Sequence, residues 1–267
     1  KQTAILILCF GIGFLMARGG FQKKPLKVVD AISYGTTNNT PVILNTPFCI
    51  LKTIGKKETL ESPNFYKKAE LDAIFNPVVQ TQPTLPQQKK NVVILILESF
   101  GDENVQKGYT PFLDSLITKS YYFKNGFANG RISIDAVPST LSSIPSLMNH
   151  SFITSSYSLN EVYGLPKIMK KNGYNTSFFH GAFNGSQNFD QYCKVAGFDN
   201  YYGKNQYVGP ESFDGKWGVF DEDFLQYFSR KLTTFQQPFF TTLFTISSHN
   251  PYVIPEKYKG KEVNPDQ

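Results

Sequence analysis

The segment at residues 91–101, NVVILILESFG, places six consecutive aliphatic residues directly before Glu98. An uninterrupted run of this kind, bounded by Lys90 and Gly101, predicts a strand buried on both faces, as in a parallel sheet. Ligands of open α/β sheets bind at the carboxyl ends of the strands, and Glu98 lies at that end. A buried carboxylate is costly without a compensating cation, so Glu98 predicts a metal site. The alternative is that Glu98 reaches solvent or pairs with a lysine.

Predicted helices and strands alternate after this first strand. Thr110 is a suitable N-cap and Pro111 a suitable first residue for the next helix. Such alternation is typical of βαβ units and predicts an α/β fold, with a mostly parallel central sheet flanked by helices. The predicted helices cover residues 110–119, 137–148, 165–173, 190–196 and 222–232, and the further strands cover 121–127, 174–180 and 239–246.

The chain divides into three predicted regions. Residues 3–17 are apolar and are followed by Arg18, a stretch slightly shorter than the roughly 20 residues of a complete membrane span. We interpret residues 1–18 as the C-terminal part of a transmembrane helix, with a buried soluble helix as the alternative. Residues 19–90 form a juxtamembrane connector, with short helices near 28–33, 47–54 and 62–73 and a polar linker at 81–88. Residues 91–267 form the third region, the predicted α/β domain.

Charge and cysteine content exclude several classes of function. The net charge is +6, but the lysines are scattered, and the 24 phenylalanines and 15 tyrosines do not alternate with basic residues. We therefore exclude nucleic-acid binding. Three widely spaced cysteines support neither a disulfide framework nor a zinc knuckle, although one Cys49–Cys193 bridge stays open.

A glycine-containing loop at residues 129–135 carries the candidate nucleophile, Ser133. Gly130 permits a tight backbone path, and the free N–H groups of the following helix can bind an anion. Ser133 has no neighbouring histidine, so a metal would have to activate it for attack on a phosphate or sulfate. The alternative is an ordinary N-cap serine.

Two histidines stand at the ends of predicted strands. His180 ends the strand at 174–180, and His249 follows the strand at 239–246. A lone histidine is more often structural than functional. Together with Glu98 and Ser133, however, the two histidines converge on one rim of the predicted sheet, which indicates a site.

The order of these motifs resembles that of lipoteichoic-acid-synthase-like proteins, sulfatase-type phosphotransferases of the alkaline phosphatase superfamily. The matching segments are residues 91–99, 109–116, 130–133, 178–181 and 247–251. The resemblance implies an alkaline phosphatase/sulfatase-like fold, truncated here. It also implies an enzyme anchored in the bacterial cell (inner) membrane with an extracytoplasmic catalytic domain. Its cofactor would be one divalent metal, Mn²⁺ or alternatively Mg²⁺ or Zn²⁺, and its substrates phospholipid or glycan.

The resemblance also implies roles for individual residues. Glu98 matches the metal-binding carboxylate, and Ser133 matches the nucleophile that also touches the metal. His180, His249, Arg131 and Asn184 would bind substrate. The family's other metal ligands, an Asp and an Asp-His pair, are expected beyond Gln267, so this chain alone is expected to be inactive.

Two departures from related sequences bear on the substrate. Lipoteichoic acid synthases carry a Trp-Asn-Arg-Asp element after the first histidine, whereas residues 187–190 read Gln-Asn-Phe-Asp. The loss of that Arg removes a bidentate phosphate contact, which Arg131 would have to replace. The formylglycine sulfatase signature is also absent, because Ile134 and Asp135 stand where it needs Pro and Arg.

The sequence thus predicts transfer of a phosphoglycerol- or phosphoethanolamine-type headgroup to a glycan or lipid acceptor, through an intermediate linked to Ser133. The alternatives are a sulfate or phosphate ester hydrolase on the same fold and a non-catalytic envelope protein that binds glycan or lipid.

Overall fold

A computed structural model describes residues 1–21, 25–55, 65–76, 78–80 and 88–260. The first helix, α1 (Gln2–Arg18), ends at Gly19, whose φ of 87° provides the left-handed turn that commonly closes a helix. Within the described part of the chain, no helix combines the length and the apolar character needed to cross a membrane. The assignment of residues 1–18 to a transmembrane helix stays a prediction.

The described residues of the connector contain a 3₁₀ helix at Val28–Ser33, as predicted, followed by three short α-helices. The predicted helix near 47–54 is confirmed, whereas the one predicted from residue 62 begins only at Lys68. The linker at 81–88 lies outside the described residues except for Gln88. The bounds are α2 (Thr40–Ile43), α3 (Thr46–Thr53) and α4 (Lys68–Ile74).

Part of the connector packs on the predicted catalytic domain. Val29, Ala31 and Ile32 are buried, and Ile32 contacts Val162 and Val195. The boundary at residue 91 stays a prediction, but the 3₁₀ helix at 28–33 is fixed to the body that follows it.

Among the described residues, four strands form one sheet in which every neighbouring pair is parallel, so the predicted parallel sheet is confirmed. In space the order is β1-β4-β2-β3. Ile96, Phe244 and His180 lie side by side at the end of β1, β4 and β2, which brings the following residues to one edge. The strands are β1 (Val92–Ile96), β2 (Asn175–His180), β3 (Asn200–Tyr202) and β4 (Phe239–Phe244). The short β3 escaped prediction because three residues are too few to show a pattern.

The prediction that β1 is buried on both faces is wrong. Its side chains alternate, with Val93 and Leu95 exposed by 43% and 54%. The reason is that β1 lies at the outer edge of the sheet, where no described element covers the face that carries Val93 and Leu95. β2 and β4, in contrast, are buried almost throughout.

In the described part of the chain, five α-helices follow β1: α5 (Pro111–Ile117), α6 (Ser133–Ser142), α7 (Leu165–Lys171), α8 (Phe189–Ala196) and α9 (Asp221–Leu232). All were predicted, but α6 begins at Ser133 rather than residue 137 and ends before 148. Ser143 adopts a left-handed φ of 54° and Pro145 follows, which stops the helix.

The strand predicted at residues 121–127 is wrong. The segment has no strand partner among the described residues, and Tyr121, Phe123 and Phe127 are more than 80% exposed. The aromatic content alone suggested a strand, but a strand also needs a partner ladder. The bridge left open between Cys49 and Cys193 is absent, since both are free thiols.

Apolar side chains pack against both faces of β2. Phe178 and Phe179 are neighbours on β2, so they point to opposite faces. Phe178 joins a cluster with Leu141 and Tyr192, and Phe179 joins one with Phe224. Burying each such ring contributes about 1.5–3 kcal/mol, which fixes the sheet edge that carries the candidate site.

Candidate active site

The structure brings Glu98 and Ser133 into direct contact. Ser133 Oγ donates a hydrogen bond of 2.9 Å to Glu98 Oε1, and Ser99 Oγ donates to the same oxygen at 3.0 Å. Glu98 is 7% exposed and forms no ion pair with any described residue. The alternative that Glu98 reaches solvent or pairs with a lysine is therefore wrong. The side-chain groups that bond this buried carboxylate are neutral hydroxyls, so its negative charge is not compensated by a cation among the described residues.

Backbone contacts fix Glu98 at the strand end. Its N–H donates to Thr245 Oγ1 at 2.7 Å, and Thr245 N–H donates to the Ile96 carbonyl at 3.1 Å. Thr245 thereby ties the ends of β1 and β4 together. Ser99 adopts a φ of 50°, a left-handed conformation that non-glycine residues rarely hold and that clusters at functional sites.

Ser133 does not act as a helix cap. It is the first helical residue of α6, the capping position is Ile132, and no side chain caps this end. The N-cap interpretation is therefore wrong, and the hydroxyl is directed to Glu98 instead. The approach depends on Gly130, because a Cβ there would lie 2.5 Å from Asp135 Cβ.

His180 is buried beside the site. Its Nδ1 lies 3.0 Å from the Phe244 carbonyl, and its ring stacks on Phe244 at 4.7 Å. Because a carbonyl only accepts, Nδ1 carries the proton and Nε2 presents a lone pair. Burial lowers the pKa of His180 to about 4, opposed by the bond to Phe244 and reinforced by nearby His249. At neutral pH the ring is uncharged, so it can orient a hydroxyl but cannot neutralise a phosphate.

His249 lies on the loop after β4, where its ring contacts the Trp217 ring at 4.1 Å. Asp221, the first residue of α9, holds this loop by accepting the N–H groups of Ile246 and Ser247, both at 2.8 Å. Burial raises the pKa of the Asp221 carboxyl, and these two hydrogen bonds oppose the rise. Sequence reasoning missed Asp221 because its role appears only when α9 meets the end of β4.

Arg131 and Asn184 are not brought into this arrangement. Arg131 is exposed and has no ion pair among the described residues. The amide of Asn184 donates to Gln206 Oε1 at 3.0 Å and accepts from Asn205 N–H at 3.3 Å. Phe189, at the position where the resemblance implies a phosphate-binding Arg, has a buried ring that meets His180 edge-on at 5.2 Å.

A divalent metal fits the donor chemistry of Glu98 and Ser133. A carboxylate and a hydroxyl are the hard oxygen ligands that Mn²⁺ and Mg²⁺ prefer. Within the described ranges, no group of three or more histidine, cysteine, aspartate or glutamate side chains converges on one point. These two side chains alone would therefore not complete a coordination shell.

Comparisons with known proteins identify the family of the chain. The family model described as "Sulfatase" matches residues 90–267. The Bacillus subtilis protein named "Lipoteichoic acid synthase-like YvgJ" is 28% identical over 225 residues, covering 79% of this chain and 36% of the relative. "Lipoteichoic acid synthase 1" of the same organism is 30% identical over 181 residues, covering 63% and 28%.

Two solved structures share the fold. A Vibrio parahaemolyticus protein of the alkaline phosphatase superfamily has a TM-score of 0.61 at 29% identity, covering 69% of this chain and 46% of that one. Lipoteichoic acid synthase LtaP from Listeria monocytogenes has a TM-score of 0.59 at 25% identity, covering 67% and 46%. The chain spans about a third of the length of the curated relatives it matches.

Proposed function

Since the chain belongs to the sulfatase family, we propose that it supplies the nucleophile and one metal-binding carboxylate of a phosphotransferase. The enzyme moves a phospholipid headgroup, of the phosphoglycerol or phosphoethanolamine type, to a glycan or lipid alcohol. One observation carries this proposal: the Ser133 hydroxyl leaves its helix uncapped and donates to the buried Glu98 carboxylate. The similarity to lipoteichoic acid synthases supports phosphate rather than sulfate transfer.

In the proposed reaction, Ser133 Oγ attacks the phosphorus of the donor. The Oγ–P bond forms as the bond from phosphorus to the lipid alcohol breaks, and the Ser133 proton ends on the departing alcohol. In the second step the acceptor alcohol attacks phosphorus, the bond from phosphorus to Ser133 Oγ breaks, and the proton of the acceptor alcohol passes to Ser133 Oγ. The free N–H groups at the start of α6 stabilise negative charge on the transferring group.

Glu98 and Ser133 would hold one divalent metal, with Mn²⁺ preferred over Mg²⁺ or Zn²⁺. When bound, such an ion lowers the pKa of a coordinated hydroxyl and stabilises charge on phosphate oxygens. Glu98 is prepared for this role because Ser99 and Thr245 already fix its side chain and backbone. Such an ion takes about six ligands, so Glu98 and Ser133 would be joined by further oxygen ligands.

Neutral His180 and half-buried His249 would orient hydroxyl groups of the substrate. Arg131 is exposed and without an ion pair in the described structure, so it is free to reach a substrate phosphate. Phe189 cannot make the bidentate contact that an Arg makes, which argues against glycerol-phosphate polymerisation. We propose transfer of a single headgroup.

The test is to express the complete reading frame and to supply a phospholipid with a fluorescent headgroup, an acceptor glycan and Mn²⁺. We expect Ser133→Ala to reduce turnover by several orders of magnitude, because a covalent nucleophile is lost. The lost hydrogen bond to Glu98 costs only about 1–3 kcal/mol of stability. Ser133→Thr should retain part of the activity because it keeps a hydroxyl.

Ser142→Ala is the matched control, because it removes another hydroxyl of α6, one that bonds the Tyr192 hydroxyl at 2.7 Å. Turnover should be unchanged in that variant. Undiminished turnover in Ser133→Ala would exclude Ser133 as the nucleophile and favour a binding protein. Release of the headgroup to water, at a rate independent of the acceptor, would identify a hydrolase.

A further inference from the structure

A cavity of about 660 Å³ lies between the connector and the loops that follow β2 and precede α9. The connector contributes one wall, which includes Lys27 and Tyr34. The facing wall includes Phe183, Gln191 and Trp217. Glu98 and Ser133 are not among the residues that line it, so the cavity is distinct from the proposed nucleophile site.

Three residues that line this cavity each carry a buried polar atom without a hydrogen-bond partner in the described structure. The atoms are Nδ2 of Asn188, Oε1 of Gln191 and Nε1 of Trp217. Asn188 and Gln191 are only 4% and 7% exposed. Buried amides without partners destabilise a fold, so their accumulation in one place calls for an explanation, and a ligand supplies one.

The backbone around the cavity is held in unusual conformations. Gln187 and Asn188 both have left-handed φ values, 48° and 60°. Opposite them, Asp214 Oδ1 accepts the N–H groups of Lys216, Trp217 and Gly218 at 2.7–3.0 Å. This turn fixes the backbone that carries Trp217, as expected for a preorganised binding site.

Charge and shape indicate the class of ligand. Lys27 and Lys216 present two ammonium groups against the single carboxylate of Asp30, and Lys27 Nζ donates to Asn188 Oδ1 at 3.3 Å. Neither lysine forms an ion pair among the described residues. Aromatic rings combined with amides and ammonium donors suit a ring that has apolar C–H faces and a rim of hydroxyls.

We propose that this cleft binds a sugar ring, with or without a phosphate substituent. The sugar packs on Trp217, and its hydroxyls pair with Asn188 and Gln191. Because the Trp217 ring also contacts His249, a sugar in the cleft lies next to the proposed active site. That the sugar belongs to the acceptor rests on the proposed function, whereas sugar binding itself does not. The connector, through Lys27 and Tyr34, is then part of the binding site.

Trp217 is the single tryptophan of the chain, so its fluorescence reports on this cleft alone. The purified 267-residue chain in detergent is titrated with maltose, glucose 6-phosphate and inorganic phosphate, without donor lipid or added metal. We expect saturable changes in emission with either sugar and none with inorganic phosphate. Stronger binding of glucose 6-phosphate than of maltose would identify a phosphate-bearing sugar, and equal binding a neutral one.

Gln191→Met separates a binding role from a structural one. It removes a buried amide oxygen that has no partner, so the melting temperature should stay the same or rise, while the affinity for sugar falls about ten-fold. Gln226→Met, the same change at an exposed position of α9, should alter neither. Lys27→Met should weaken binding several-fold, whereas its control Lys171→Met, which loses a similar bond to Tyr163, should not.

The proposal is overturned if neither sugar changes the emission, if inorganic phosphate alone reproduces the change, or if Gln191→Met and Lys27→Met bind as wild type does. If Gln191→Met lowers the melting temperature, its lower affinity for sugar no longer separates a binding role from a structural one. The affinity of Lys27→Met for sugar then decides whether the proposal holds. Ser133→Ala should bind sugar normally while losing transfer, so a failure of the proposed catalytic role is distinguishable from a failure here.

Discussion

The buried His180 should make folding stability depend on pH in a way that one substitution removes. Burial lowers the pKa of His180 to about 4, whereas an unfolded histidine titrates near 6.5. Between these two values the unfolded chain binds a proton that the folded chain does not. Stability should therefore be unaffected above about pH 6.5 and should fall as the pH decreases from about 6.5 to about 4.

The magnitude follows from the gap between the two pKa values. At 1.36 kcal/mol per pH unit, the complete effect is about 3 kcal/mol, and about 2.5 kcal/mol of it is lost by pH 4.5. The contribution of Asp221 to the pH dependence of folding stability has the opposite sign. Burial raises the pKa of its carboxyl, so the folded state takes up a proton before the unfolded state does, and stability is gained at low pH. A pH series on the wild-type protein alone would combine both groups.

The assay is urea unfolding at pH 7.5 and pH 4.5 for the wild type and for His180→Asn. The asparagine amide can still donate to the Phe244 carbonyl but does not titrate. At pH 7.5 the variant should be less stable, because it loses the ring that stacks on Phe244. Between pH 7.5 and 4.5 it should lose about 2.5 kcal/mol less than the wild type. Equal losses in the two proteins would refute the assignment of His180 as a buried neutral histidine.

Three further predictions concern the metal, the loop after β4 and the membrane. In protein expressed from the complete reading frame, Mn²⁺ at about 100 times its dissociation constant should add about 2.7 kcal/mol of stability after EDTA treatment. Glu98→Gln should remove that gain in thermal melts, and an unchanged gain would place the metal elsewhere. Asp221→Ala should cost roughly 2–3 kcal/mol in urea unfolding, because two backbone N–H groups lose their acceptor, and should lower turnover by displacing His249. A normal turnover would exclude the positioning role. The same protein should stay with membranes in high salt and dissolve only in detergent, and release by salt alone would contradict anchoring through residues 1–18.

Part of the candidate site could be predicted because its signals are local. Glu98 follows an aliphatic run, and His180 ends a second predicted strand, so parallel strands had to deliver both to one edge. Ser133 was distinguished by a glycine loop before a helix. The contact between Ser133 and Glu98, 35 residues apart, was only inferred, because a spacing in sequence does not specify which oxygen a hydroxyl will reach.

The sequence by itself determined the alternation of strands and helices and the parallel direction of the sheet, because hydrophobic periodicity and helix-terminating residues act within a few positions of the chain. Only the tertiary structure decided which surfaces are covered. It leaves Val93 and Leu95 on an open face, exposes Tyr121 in a segment with strand-like composition, and seats the connector around Ile32 against the domain. The physical reason is that an apolar pattern states that a segment can be buried, whereas the partner that buries it, and every hydrogen bond between distant residues, follows from strand order and register.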